Sequence, residues 1–482
     1  MSLWLKTSGY NKPVGKSPSY LPAQHKQRAD RLRALRYLYD GRHKEFFLDA
    51  ENTQFDFREV RVNGRLLPIF VMLNLLSLIS RKHADLLFGE KPSIRVAEPS
   101  IQQVIDATIE RSSLHQALST GAVEQSWAGE TCLEICREGG ETYIIHTPIE
   151  EIYPEGPRLA SGQHASYVRY ATADINTGGN LERTLLLETR YTAGTISRKC
   201  IELKEGNRGN AVELNLWPVT QVNGAPLAET ESTGLSTPSI IWIPNELDGN
   251  RAVSDYEGAI DLQDELNAKQ TQIARVLAKH ADPKQFFPTG AADQDGNVRS
   301  TDDAFFGDKD AKPEYITWQA ELANAMEDRK FTLNALCMVT EMSQVLLGLK
   351  DGAAPDAAKK LRLEATNSLA KASRKAIYWQ PAIRQAISLA LISQGVAVRP
   401  QISVEMRDGL PIDALERANE IATLRGAKVC SVRRGLELQN LEPGAVEKEE
   451  AQLREENSMA TPSILFGEPN QQLNDAPADA AA

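Results

Sequence analysis

The chain has 482 residues, 41% hydrophobic and 25% charged, with a formal net charge of −11 at pH 7. That length corresponds to about three domains, and the composition is that of an ordinary soluble protein with a sizeable core. The acidic balance excludes a protein that grips nucleic acid over its whole surface, and five scattered cysteines (Cys132, Cys136, Cys200, Cys337, Cys430) exclude a disulfide framework.

Residues 1–22 read as an extended arm in which Lys6, Lys12 and Lys16 sit among Gly, Pro and Ser, with no secretory signal. The odd cysteine count suits a reducing compartment, so the expectation is a protein made in, and acting from, the cytoplasm. A basic helix follows from about Gln24 to Tyr39. Its bases, Lys26, Arg28, Arg31, Arg33 and Arg36, read either as a solvated face or as phosphate contacts, with Leu32, Leu35 and Leu38 on the inner side. The spacing predicts a strongly apolar helix over Leu66 to Leu87, entered by Pro68. Within it the longest apolar run, Ile69 to Ile79, is interrupted by Asn74 and Ser77 and is too short to span a bilayer.

Ser93 to Val96 alternates as a strand, Ile101 to Trp127 returns to helix, and Thr131 to Tyr153 has period two around a Gly139-Gly140 hairpin turn. Tyr167 to Tyr170, Leu185 to Tyr191 and Ile240 to Pro244 continue a strand-rich section. Helices beside mainly antiparallel strands make the fold class α+β, mainly helical.

The stretch from Ser254 to Trp379 organises the rest. Ser254 and Glu257 have capping-box spacing, and Ala259, Leu262, Leu266, Ile273, Val276 and Leu277 form an apolar stripe up to His280, before Pro283. From Ala281 to Thr317 the signals change to Phe286-Phe287-Pro288, Asp295-Gly296-Asn297 and Phe305-Phe306-Gly307, which read as short strands and turns. This is either a projecting lobe or an elaborate loop in a helical hairpin. Helical spacing returns from Trp318 to about Leu347. Gly348, Gly352 and Pro355 then mark a mobile loop. Asp356 caps a helix whose interior (Ala357, Leu361, Ala365, Leu369, Ala372, Ala376, Trp379) is rich in alanine, and which is expected to kink at Pro381 rather than end there.

Ile402 to Met406 reads as one more strand, and Ile412 to Leu424 as a helix closed by Gly426. Two further short helices follow, up to Glu456. The Pro-containing, Ala/Asp-rich end from Thr461 to Ala482 reads as disordered.

No catalytic motif emerges. Gly15-Lys16-Ser17 resembles the end of a phosphate loop, but Gly9 lies one position too far upstream and no strand precedes it. The histidines form no HExxH pattern and pair with no cysteine at zinc spacing, and Cys132 and Cys136 read as packing residues. No cofactor or metal is expected. A metal-dependent nucleic-acid-processing enzyme, or a helical scaffold of another assembly, stays open as the alternative on residues alone.

Ala84-Asp85-Leu86-Leu87-Phe88-Gly89-Glu90-Lys91-Pro92, the hairpin leading to Pro148 and Tyr153-Pro154, and Pro244-Asn245 ahead of Ser254-Asp255 together resemble the portal proteins of tailed bacteriophages. So does the Leu410-Pro411 helix followed by Val432 to Glu456. The likeness is strongest to the SPP1 portal-like branch and runs over nearly the whole chain. It implies a ring of twelve subunits at one capsid vertex, assembled in the host cytoplasm and carried in the virion, with an α/β wing, two-helix stem, small α/β clip, kinked long helix and helical crown. Laid on this chain, 1–30 would be an arm, 31–253 the first part of the wing, 254–281 and 318–345 the stem helices, and 282–317 the clip. Residues 346–357 would be the tunnel loop, 358–411 the rest of the wing, 412–460 the crown and 461–482 a tail.

The resemblance further implies that Leu349, Lys350, Asp351, Gly352, Ala353 and Ala354 face double-stranded DNA, with Gly348, Pro355 and Pro381 as hinge or kink positions. Lys359, Lys360 and Arg362 would be basic positions near DNA, or else a solvated face or partners of a neighbour's acids. Phe286, Phe287, Phe305 and Phe306 would make clip contacts. Implied partners are other copies of the chain, the terminase large subunit, major capsid or scaffold protein and a head-completion (adaptor) protein, with no membrane. Twelve copies at −11 each carry −132, a broad repulsion that suits a conduit through which DNA slides.

Overall fold

The structure, a computed structural model, describes residues 20–49, 60–62, 65–67, 69–176, 182–205, 211–217, 229–280, 284–288, 304–307, 314–316, 322–349, 357–396, 400–407, 409, 414–439 and 443–459. Two compact units divide the chain, one ending at Leu410 and one starting at Pro411.

The first unit opens with α1 (Ala23–Tyr39), α2 (His43–Asp49) and a two-stranded β1 (Val60–Val62), β2 (Arg65–Leu67) pair. Then come α3 (Leu75–Phe88), β3 (Ser93–Arg95), α4 (Pro99–Arg111) and α5 (Leu114–Ala128). Of the five bases of α1, Lys26 is exposed, whereas Arg28, Arg31 and Arg36 are engaged by the protein's own groups. Arg28 donates to the Ile152 carbonyl and pairs with Glu130 at 3.1 Å. Arg31 is buried and held by Glu257 and the Ala252 carbonyl. Arg36 pairs with Asp40 and Glu150.

The helix expected over Leu66 to Leu87 begins only at Leu75, where the Asn74 side chain accepts the Ser77 N–H as an N-cap. The helix expected over Ile101 to Trp127 breaks at Ser113, whose φ of 47° is left-handed.

β4 (Glu130–Glu138) and β5 (Glu141–His146) form the expected hairpin, with Gly139 and Gly140 both at positive φ as a two-residue primed turn requires. β6 (Ile152–Arg158), β7 (His164–Asn176), β8 (Glu182–Thr192), β9 (Thr195–Glu205) and β10 (Ala211–Trp217) make an antiparallel meander. β11 (Thr230–Ser232) also pairs with β9. β12 (Ile240–Pro244) joins β4 to complete a β12-β4-β5 sheet, and β13 (Glu246–Asp248) pairs with β14 (Arg251–Val253).

The β12-β4-β5 sheet is buried on both faces, and period-two alternation divides its side chains between two cores. Leu133, Ile135, Ile144, Ile241 and Ile243 enter one core with Leu118 and Ile105. Cys132, Ile240 and Trp242 enter the other with Leu32, Leu35, Leu38 and Tyr167.

α6 (Ile260–His280) and α7 (Leu322–Val339) are separated by a small sheet of β15 (Lys284–Pro288), β16 (Ala304–Gly307) and β17 (Glu314–Ile316) in the order β16-β15-β17. After α7 come α8 (Ala357–Glu364), α9 (Thr366–Ser393) and β18 (Ser403–Glu405), which pairs with β3. α9 closes the first core: Trp379 stacks edge-on against Phe88 at 4.9 Å, and its Nε1 donates to Gln125 Oε1 at 2.9 Å.

The second unit holds α10 (Ala414–Gly426), α11 (Val432–Leu438) and α12 (Pro443–Met459), with Ile421, Leu436 and Val446 buried.

Candidate functional site

The expected helix from Ser254 starts later than its capping signal. Glu257 Oε1 does accept the Ser254 N–H, at 3.4 Å. The Ser254 hydroxyl, however, donates to the Trp127 carbonyl at 2.6 Å and accepts the Tyr256 N–H, so residues 255–259 form turns and α6 begins at Ile260. Likewise, α7 ends at Val339 rather than near Leu347.

α6 and α7 pack side by side. Lys269 on α6 contacts Glu265 at 2.7 Å, Asp328 on α7 at 2.8 Å and the Thr332 hydroxyl at 2.8 Å. Burial alone would lower its pKa, but the bonds to Asp328 and Glu265 outweigh that and hold the ammonium above its ordinary value. Arg329 Nη1 donates to Gln270 Oε1 at 2.8 Å.

The opposite side of α6 carries a polar ladder at four-residue spacing. Gln263 donates to the Leu73 carbonyl and Asn267 accepts the Leu73 N–H. Thr271 takes both the N–H and the carbonyl of Val71, and Arg275 reaches the Ile69 carbonyl. These bonds lay residues 69–73 along the helix as an extended strap. They are why that segment is not the helix its apolar composition predicts: its main-chain groups already have partners.

At the head of this pair lies a buried charge cluster that sequence reading did not pick out. Asp255 accepts from Ser126 Oγ at 2.6 Å and Asn245 Nδ2 at 2.9 Å, and it pairs with Lys371 at 2.9 Å and Lys375 at 2.5 Å. All three charged residues are buried, and His83, also buried, borders them. Burial pushes the Asp255 carboxyl upward, but the two ammonium groups outweigh it and hold the acid well below the usual carboxylate range. The signal was present in the phase of α9: Ser368, Lys371, Lys375, Trp379, Ala382 and Ala386 are all buried, so the two lysines lie on the apolar stripe.

Beyond α7, residues 340–343 are pinned to α9. Lys371 Nζ donates to the Thr340 carbonyl at 3.0 Å, and the Ser368 hydroxyl accepts the Ser343 N–H at 2.8 Å while donating to the Glu341 carbonyl. Glu341 itself has a φ of 56°, and both its carboxylate oxygens accept from Arg374 Nη2 at 2.6 Å.

Among the expected loop positions, Gly348 has a φ of 71° and Leu349 is 42% exposed. Lys350, Asp351, Gly352, Ala353, Ala354 and Pro355 lie outside the described residues. Lys359, Lys360 and Arg362 fall on α8, with Arg362 half-buried. α9 runs through Pro381, which offers no N–H to the Ile377 carbonyl. Phe286 and Phe287 on β15 run parallel to Phe305 and Phe306 on β16, paired one to one. The four phenylalanines thus lie on two adjacent strands, and α8 directly precedes α9 in the chain.

Among the described residues no group of His, Cys, Asp or Glu is placed to hold a metal ion, and no helix is long and apolar enough to cross a membrane. No curated protein matches the chain. Among solved structures it is similar to a chain of the virion of a native gene transfer agent particle, at 11% identity and a TM-score of 0.44, covering 86% of this chain and 94% of that one. It is also similar to chains in the neck of the empty and of the native gene transfer agent particle. Both are 13% identical, with TM-scores of 0.43 and 0.41, and both cover 76% of this chain and 89% of the other. The family model described as phage portal protein, SPP1 Gp6-like, matches residues 19–463. The chain is therefore a phage portal protein of the SPP1 Gp6-like family.

Proposed function

We propose that identical copies of this chain, twelve by the family resemblance, close into a ring at one vertex of a capsid, and that double-stranded DNA enters and leaves through the central hole. In this reading α6 and α7 are the stem that lines the conduit, and the segment from Gly348 to Pro355 is its inner lip. The small sheet carrying Phe286, Phe287, Phe305 and Phe306 is the clip, docked first by the terminase large subunit and later by a head-completion protein. Major capsid or scaffold protein surrounds the wing. The role is structural, and the ring is carried in the virion after assembly in the host cell.

The observation that carries the reading is the set of large apolar side chains that a single copy leaves in solvent on these helices. Phe331 and Met338, seven residues apart on α7, are each 69% exposed, Leu363 on α8 is 77% exposed and Ile377 on α9 is 67% exposed. Residues seven apart share a helix face, and an apolar face of that kind supports burial against a neighbouring copy. A ring needs a heterologous interface whose rotation closes, so the face that α7 offers must meet a different face of the next copy.

Negative-stain imaging and mass photometry of the purified protein test this. Uniform open rings of one subunit number are expected. A monomer that stays monomeric at micromolar concentration, or that turns over ATP or cleaves DNA, would overturn the reading.

A further inference from the structure

The Asp255 cluster holds more positive charge than it can pair. Two ammonium groups, Lys371 and Lys375, share one carboxylate, and every one of these side chains is buried. The other titratable neighbours do not redress the balance. His83 lies toward the Thr340 backbone, and burial keeps it neutral. Glu246 acts on Lys375 only as a weak attraction behind Asp255. The two lysines also have different duties. Lys375 contacts Asp255, whereas Lys371 bridges Asp255 and the Thr340 carbonyl, so it ties the turn heading α6 to the segment leaving α7.

We propose that Asp255, Lys371 and Lys375 form a pH-sensitive latch that sets how firmly residues 340–349, the root of the loop, are held against the long helix α9. Each lysine takes its own oxygen of Asp255, so with both charged one positive charge is left unneutralised in a dry site, and opening residues 340–349 to solvent relieves it: the hold on Thr340 loosens. When Lys375 gives up its proton to solvent, a neutral Lys371–Asp255 pair remains and the latch closes. Burial, the leading cause, brings Lys375 down to about 8, so the change falls near neutrality. Two other groups near Thr340 titrate elsewhere: burial pushes the Cys337 thiol up to about 11, and His83 titrates well below its usual range. The latch goes beyond the conduit reading and does not depend on what the loop touches.

Hydrogen–deuterium exchange on assembled protein, corrected for intrinsic exchange rates, tests this through peptides covering 340–349 at pH 7 and pH 9. Protection in the wild type is expected to rise about tenfold, as a group losing roughly one pK unit of differential interaction would give. Lys375→Met removes the surplus charge at every pH and should show high protection at both values. Lys375→Arg keeps the charge at every pH and should show low protection at both. Protection in the wild type that is the same at the two pH values would overturn the latch, as would Lys375→Met and Lys375→Arg variants that both retain the wild-type rise. If neither variant folds, the wild-type profile alone decides.

Discussion

Arg31 and Glu257, 226 residues apart in sequence, meet at 3.0 Å, with the same guanidinium nitrogen 2.7 Å from the Ala252 carbonyl. The first helix is thereby fixed to the turn that heads α6. Both side chains are largely withdrawn from solvent, so removing Arg31 leaves Glu257 to Arg251 alone, at 2.6 Å, and takes a charged donor from the buried Ala252 carbonyl. Arg31→Ala is expected to cost about 3 kcal/mol, read as a lower urea midpoint at unchanged slope. Arg31→Lys should recover only part of it, because an ammonium has no second nitrogen to take the place of the one that lies 3.8 Å from Glu130.

Gly129 ends α5 in the left-handed region, at a φ of 83°, and a Cβ there would meet the Ser254 nitrogen at 2.7 Å and the Val253 carbonyl carbon at 2.8 Å. Those obstacles are backbone and cannot swing aside. Gly129→Ala should therefore lower stability by about 2 kcal/mol or more. Gly139→Ala, also at positive φ but with open space around it, should cost only about 1 kcal/mol. Thermal unfolding of the two variants side by side checks the contrast.

His43 is buried between the Leu38 carbonyl, which accepts from Nε2 at 3.0 Å, and Asn267 Nδ2, which donates to Nδ1 at 3.0 Å. This pairing demands a neutral ring. Burial holds the imidazole down at about 4, against an ordinary 6.5. The unfolded chain thus binds the proton first as pH falls. The stabilisation is fully present above pH 6.5 and is lost progressively down to pH 4, by up to about 3 kcal/mol. Urea titrations at pH 7, 5.5 and 4 should show a smaller acid loss for His43→Gln than for the wild type. Equal losses would count against a neutral buried ring.

Under the proposed conduit role, Lys350 is a single loop cation repeated around the ring. Lys350→Ala should leave ring assembly intact while changing the amount of DNA packaged or retained, measured as DNA per particle. Failure of the variant to assemble would contradict the place given to the loop.

Much of the strand-rich half was legible because its signals are local. The β4–β5 hairpin announced itself by period-two alternation around Gly139-Gly140, and Ile240 to Pro244 by its unbroken apolar run. The misreadings share one cause: a distant partner claimed the group that the local pattern assigned. The Ser254 hydroxyl bonds to Trp127 and leaves the capping box half-made, and residues 69–73 bond to side chains about 200 positions later. Arg28 and Arg31 spend their charge on Glu130 and Glu257. Glu341 takes a left-handed turn secured by Arg374, which no spacing near Glu341 foretells. The Asp255 cluster was missed for a different reason, since lysines in phase with a buried stripe were set aside for the alanines beside them.

The strap at residues 69–73 has a mechanical consequence. Its bonds to Gln263, Asn267, Thr271 and Arg275 run across the axis of α6 at successive turns, about 6 Å apart. A pull along that axis loads all four rungs together in shear, whereas a pull at one end would peel them one at a time. Sliding by a single residue satisfies none of them, so α6 is indexed to the strap like a toothed rack. Axial force on the paired helices would then pass into the body of the subunit without the helix creeping.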